Sequence, residues 1–382
     1  MKGSMPMQSV LAIDVTKGKS MVSLISSCGE VLIEPYEINH SINDFTNLLN
    51  KINKQKLDNV SVIMETTDIY HRPVEKFFLE NNFKVFVINA LYSKMYKRNL
   101  RKKTDKLDCI SLSELFFTTD FREYIKPDDI YLNMNALSRQ YHVLDELCVN
   151  LKNRYKNLVY LCFSEYELIF KKKTIYSDLA LSFIEKYPHA DIISNTRIDT
   201  LQNFFKKNGF RHWKKKPATI KEYAINSYPS VSKDDEITSS LSQLARLINT
   251  YQKEIETIKY KIIFLGKKTK YFESINSIFG IGEFTASLII AEIGDINRFK
   301  NIKELTVYCG LDPSIKQSGK SINIKGPISK SGNKYLRKNF FISIFDCLFK
   351  ETHLIEYMLI YYDKFVHVFT SFYFKIYCKY VN

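Results

Sequence analysis

With 382 residues, 45% of them hydrophobic, the chain is long enough for two or three domains with cores of their own. Lysine and arginine number 56 against 41 aspartate and glutamate, a formal charge of +15, which argues against a small neutral substrate and for a polyanionic partner, nucleic acid first. The seven cysteines, Cys28, Cys109, Cys148, Cys162, Cys309, Cys347 and Cys378, are scattered and never form a Cys-x-x-Cys pair, which argues against structural zinc and a disulfide framework.

In chain order, Ser9 to Val15 is a short apolar run, rich in β-branched residues, that carries one acid, Asp14, near its end; it predicts a buried strand. Met21 to Ile25 and Glu30 to Tyr36 predict two more strands, joined by a hairpin turn at Ser27-Cys28-Gly29. Ile42, Phe45, Leu48, Leu49 and Ile52 have helical spacing, so a helix is expected over Ser41 to Lys54 with Ser41 or Asn39 as its cap. Val60 to Glu65 repeats the first pattern, an apolar strand ending on an acid. A helix from about Tyr70 to Asn81 and a strand from Lys84 to Ile88 follow.

The next segment carries Lys94, Lys97, Arg98, Arg101, Lys102 and Lys103 and leads into a helix whose Asp105 and Asp108, three positions apart, share one face. Clustered carboxylates suit a hard divalent cation, Mg2+ or Mn2+, and adjacent cations suit a phosphate backbone. An Asp-x-x-Asp pair by itself fits a solvated helix face equally well. The order of three strands, helix, strand, helix, strand, helix is that of an RNase H-like domain, in which acids at two strand ends meet acids of a later helix. Asp14, Glu65, Asp105 and Asp108 are the corresponding set here.

Leu137, Leu144, Leu151 and Leu158 recur every seven residues, with Tyr141, Cys148, Tyr155 and Cys162 four after each. Ile237, Leu241, Leu244, Ile248, Tyr251, Ile255, Ile258, Ile262 and Leu265 repeat the pattern. Two long helices are expected, paired within one chain as an antiparallel hairpin or between chains, and the same period fits a helical-bundle core. Residues 171–233, with Lys171-Lys172-Lys173 and Trp213-Lys214-Lys215-Lys216-Pro217, predict a helical insert without chemistry of its own. Gly280-Ile281-Gly282 opens a helix from Glu283 to Ile293; such a turn exposes backbone N–H groups that can hold a phosphate, and it also fits a plain tight turn.

Tyr308-Cys309-Gly310-Leu311-Asp312-Pro313, Ser318-Gly319, Ile328-Ser329-Lys330-Ser331-Gly332-Asn333 and Leu336-Arg337 then occur in that order. Together with the N-terminal acids this resembles the IS110/IS1111 insertion-sequence transposases, which carry a RuvC-like Asp-Glu-Asp-Asp domain. The likeness covers about Leu11 to Phe117 and Ile275 to Leu348. It implies that Asp14, Glu65, Asp105 and Asp108 bind Mg2+ or Mn2+, that Ser318 is a nucleophile, and that the chain cuts and rejoins double-stranded DNA under the direction of an element-encoded guide RNA. Ser314, Ser321 and Ser329 are rival serines. The cations Lys97, Arg98, Arg101, Lys102 and Lys103, the Gly280/Gly282 turn, and Lys316, Lys320, Lys330, Lys334 and Arg337 are the expected nucleic-acid contacts.

The expected organisation is an α/β RNase H-like (RuvC-like) domain over 8–125, long coiled-coil helices with a helical insert over 130–270, a mainly α-helical C-terminal domain with a helix-hairpin-helix-like element over 271–350, and a diverged tail over 351–382. That tail is rich in Tyr and Phe where family members carry a basic helix. A dimer or tetramer is expected, since recombination holds two DNA partners at once. Met1–Val10 shows no secretory pattern, and Asp363, Lys364, His367 and Lys375 interrupt the tail, so neither export nor a span of about 20 apolar residues is expected. The expected location is the cytoplasm, at the nucleoid. A water-using RuvC/RNase H-like nuclease of the junction-resolving type is the alternative reading of the same four acids.

Overall fold

The computed structural model describes residues 8–57, 59–66, 69–88, 105–171, 174–278, 281–318 and 322–350. The predicted strand over Lys84 to Ile88 is observed with those bounds, and it forms one edge of a five-stranded sheet. The strands are β1 (Ser9–Thr16), β2 (Lys19–Ser26), β3 (Val31–Asn39), β4 (Val60–Glu65) and β5 (Lys84–Ile88), in spatial order β3-β2-β1-β4-β5. β1 pairs antiparallel with β2 and parallel with β4, and β4 pairs parallel with β5. Among the described residues this unit, which ends at Lys126, also contains helices α1 (Ile42–Lys54), α2 (Arg72–Glu80) and α3 (Asp105–Thr118).

Alternation along the strands builds two cores. Leu11, Ile13 and Val15 of β1 join Val62 and Met64 of β4 and the apolar stripes of α1 and α2 on one face. Val10 and Ala12, with Ile63 and Ile88, meet Cys109, Leu112, Leu115 and Phe116 of α3 on the other. Burial on both faces is why β1 and β4 read as nearly unbroken apolar runs rather than as alternating ones. Ser41 is the cap of α1. Its Oγ accepts from Asp44 N at 3.1 Å, satisfying one donor of the first turn, while Asp44 Oδ2 accepts from Asn39 N at 3.0 Å and so ties the helix start to the end of β3.

The second unit begins at Pro127. Its long helices are α4 (Asp129–Cys162) and α10 (Glu236–Gly266), and between them lie the short helices α5 (Tyr166–Ile169), α6 (Asp178–Lys186), α7 (Ala190–Asn195), α8 (Ile198–Lys207) and α9 (Lys216–Asn226). Cys162 lies against Thr238, while Leu137, Tyr141 and Leu144 pack on Ile258 and Ile262, so α4 and α10 run antiparallel. Of the two pairings left open by the heptads, the one within the chain is observed. The insert forms a core with the C-terminal half of α4 and the N-terminal half of α10, centred on Tyr155, Tyr166, Phe183 and Phe205.

The C-terminal part contains α11 (Phe272–Asn276), α12 (Glu283–Ile293), a 3-10 turn (Ile296–Arg298), α13 (Ile302–Cys309) and α14 (Lys334–Lys350). It also contains a β-hairpin that the mainly helical expectation omitted: β6 (Pro313–Ser318) pairs antiparallel with β7 (Ile322–Ile328). Its signal, the Ile-x-Ile alternation at Ile322 and Ile324, is short and flanked by Gly319 and Gly326. Among the described residues no helix is long and apolar enough to cross a membrane, and the tail over 351–382 lies outside those residues.

Candidate functional site

Asp14 and Glu65 directly follow Ile13 and Met64, the last paired residues of the parallel strands β1 and β4. Adjacent strands lie about 4.8 Å apart, and the two-residue alternation puts both acids on the face that carries Ala12 and Ile63. Glu65 is buried and Asp14 half-buried. That face is covered by α3, whose Cys109 is tied to β1: its thiol donates to the Ala12 carbonyl at 3.0 Å and receives a hydrogen bond from Ser23 Oγ at 3.2 Å. Burial pushes this thiol up to about 12, and the neighbouring Asp14 carboxylate adds to the rise, so Cys109 is an anchor rather than a reactive group.

The anchor sets where the other two acids fall. Asp108 immediately precedes Cys109, and Asp105 begins the helix one turn earlier. Among the described residues no three His, Cys, Asp or Glu side chains converge enough to hold a metal ion, and the Asp105 side chain lies outside them. The donor chemistry nevertheless fits a hard divalent cation such as Mg2+ or Mn2+: carboxylates directly after the last pair of two neighbouring strands and in the first turn of the helix that packs on them. Lys97, Arg98, Arg101, Lys102, Lys103 and Gly280 lie outside the described residues.

In the second unit Ser318 is the last residue of β6, paired with Ile322; the side chains of Lys316 and Ser318, and all of Lys320, lie outside the description. What surrounds this hairpin is well defined. Gly310, left-handed at φ 65°, ends α13, and its backbone lies against that of Gly332. Arg337 joins the two, donating to the carbonyls of Cys309 at 2.8 Å and Gly332 at 3.2 Å, a structural use for a cation read from sequence as a nucleic-acid contact. Ser329 donates to Asp312 Oδ1 at 2.7 Å, while Lys330 and Lys334 are exposed. Gly282 caps α12, leaving the positive end of that helix at the turn.

Sequence reasoning missed Glu292. Its carboxylate, fully buried, accepts from Ser138 Oγ at 2.8 Å, Arg139 at 2.7 Å and Asn333 Nδ2 at 2.8 Å. Asn333 Oδ1 in turn accepts from the backbone of Tyr335 and Leu336, capping α14. One acid within Ala-Ser-Leu-Ile-Ile-Ala-Glu-Ile was the available signal: a charge in an apolar helix needs buried partners.

A family model described as a transposase, of the DEDD type named for IS110, matches residues 11–164, and a second, the transposase IS116/IS110/IS902 family, matches residues 273–358. Both describe transposases of insertion sequences. The chain belongs to the IS110 family. It is similar to the pilin gene-inverting proteins of Moraxella lacunata, 25% identical over 283 residues, and of Moraxella bovis, 24% identical over the same length. These alignments cover 74% of this chain and 65% of each relative. The transposase for insertion sequence element IS1111A of Coxiella burnetii is 32% identical over 90 residues, 24% of this chain and 22% of that protein.

Proposed function

We propose that this protein is a DNA strand-exchanging transposase whose N-terminal unit is RuvC-like, binding Mg2+ or Mn2+ through Asp14, Glu65, Asp105 and Asp108. The observation that carries the reading is the placement of Asp14 and Glu65 directly after the last pair of the adjacent parallel strands β1 and β4, on the face packed against a helix that begins with the other two acids. The bound cation supplies Lewis-acid activation of a phosphodiester and charge neutralisation. Ser318 Oγ is the nucleophile: it forms a bond to phosphorus, gives up its proton, and the bond from phosphorus to the departing deoxyribose oxygen breaks, leaving a free hydroxyl. The phosphoserine link keeps the energy of the broken diester for rejoining.

Duplex DNA of element ends and target is the substrate, an element-encoded RNA the guide, and a dimer or tetramer the working form. The formal charge of +15 supports the polyanionic partners, and the two transposase family matches support DNA as the substrate. The inverting activity in the name of the Moraxella relatives is likewise a rejoining of DNA.

The test is strand exchange on element-end and target duplexes with the guide RNA and Mg2+. Asp14→Asn, Asp105→Asn and Ser318→Ala are each expected to lower exchange by at least about 10³-fold, as loss of a nucleophile or its activation does, while DNA binding persists. A denatured and digested wild-type reaction should yield the Ser318 peptide joined to DNA. Cutting that survives Ser318→Ala and still needs Asp14 would replace the serine with water and make the protein a RuvC-like nuclease of the junction-resolving type.

A further inference from the structure

We propose that a groove between the 3-10 turn and α13 binds an unpaired nucleotide of single-stranded nucleic acid, a site separate from the four acids and from Ser318; the proposal rests on the reading of the chain as a nucleic-acid enzyme. The groove has a volume of ≈ 720 Å³ and is lined by Arg298, Phe299, Lys303, Val307 and Tyr308 among others. The rings of Phe299 and Tyr308 are 5.3 Å apart and tilted by 57°, and the Arg298 guanidinium lies over both, 4.7 Å from the first centroid and 4.4 Å from the second.

Three features suit it to a nucleobase. Arg298 is exposed above both rings, and a base stacks on a guanidinium as it does on an aromatic ring. Val307 is 54% exposed and widens the apolar floor beside the rings. Tyr308 is held in place from behind, its hydroxyl donating to the Glu292 carbonyl at 3.0 Å, so the stacking surface is preorganised.

The rim selects an anion. Lys300 and Lys303 are exposed beside the rings. The one acid of the groove, Glu304, is exposed; its carboxylate accepts from Lys300 N at 2.8 Å and its charge favours the start of α13, which leaves Arg298, Lys300 and Lys303 in excess over it. Rings recessed behind a cationic rim reach bases only where these are unstacked, which selects a single strand over a duplex. The same chemistry serves a displaced DNA strand or an unpaired segment of RNA.

The experiment uses the full-length protein and short fluorescein-labelled oligothymidylate and oligouridylate, each also made with a 5-iodinated base for photocrosslinking. Wild type should crosslink within residues 298–308, and Arg298→Ala should weaken single-strand binding about tenfold, the typical loss of one stacked base, with duplex binding little changed. A thermal melt shows whether the variant is folded, and the wild-type crosslink stands independently of it. Tighter binding of the uridylate points to RNA as the occupant, and tighter binding of the thymidylate to a displaced DNA strand; either supports the groove. Crosslinks confined to other peptides, or unchanged affinity in a folded Arg298→Ala, overturn the proposal. A crosslink at 298–308 in a protein that exchanges no strands would retain the groove and remove the transposase reading, whereas strand exchange without the crosslink would do the reverse.

Discussion

At Gly332 a Cβ atom would run into the Gly310 nitrogen and the Tyr308 carbonyl, both backbone, with no flexible side chain to give way. Two short motifs far apart in sequence therefore meet through their glycines. Gly332→Ala is expected to destabilise the second unit by about 3 kcal/mol or more, measured as a lowered urea midpoint, while Lys330→Ala two residues away changes it little. His142 makes a different case. It is 1% exposed, stacks on Tyr335 at 4.7 Å, and neither ring nitrogen has a hydrogen-bond partner. Burial lowers its pKa to about 4, Lys338, Arg139 and Lys334 disfavour its charge further, and only Asp145 opposes them. The ring is thus neutral in the folded protein and takes up a proton on unfolding below about 6.5. Stability should fall as pH drops from about 6.5 toward 4, by on the order of 2–3 kcal/mol in total, and urea titrations across that range should lose most of this slope in His142→Phe.

The heptads of α4 and α10 were legible as helices because a period near 3.5 persists over 34 and 31 residues. Their partner was not legible, since an apolar seam accepts a neighbouring helix of its own chain or of another. In the structure the seam is closed within the chain, with Ile255 buried at 7% exposure and Ile248 completely. Ile255→Glu therefore places a charge in an intramolecular core and should lower the melting temperature of the second unit, at a cost of about 3 kcal/mol or more. Dissociation of an oligomer with unchanged monomer stability, seen by light scattering and melting, would contradict that placement. Self-association of this protein has to use surfaces other than this seam. The β6–β7 hairpin shows the opposite limit: strands this short, with glycines at both ends of the signal, are set by what they pack against rather than by pattern.

Over the whole molecule, the excess of 56 basic over 41 acidic residues predicts association with duplex DNA that depends steeply on ionic strength. If about 6–10 phosphates are contacted, affinity should fall roughly 10³-fold or more between 50 and 200 mM salt. Anisotropy titrations on a single duplex at several salt concentrations give the slope, and a nearly flat dependence would argue against a phosphate-tracking surface. Removal of divalent cations with a chelator should abolish strand cutting and leave this salt-dependent binding in place, because the acids and the phosphate contacts are different residues.

Sequence by itself determined the order of strands and helices in the first unit, the acids near the ends of β1 and β4, and the two long helices, because these rest on local periodicity and on burial so complete that it leaves unbroken apolar runs. Tertiary structure decided everything that depends on which surfaces meet: that α4 pairs with α10 of its own chain, that Cys109 anchors the helix bearing Asp105 and Asp108 against β1, that Glu292 is the buried hub for Arg139 and Asn333, and that Arg337 joins two glycine motifs. A charged or polar residue has no period of its own. Its role depends on whether long-range packing turns it to solvent, to a phosphate, or to a carbonyl brought close by another part of the chain, and that packing is a property of the folded molecule.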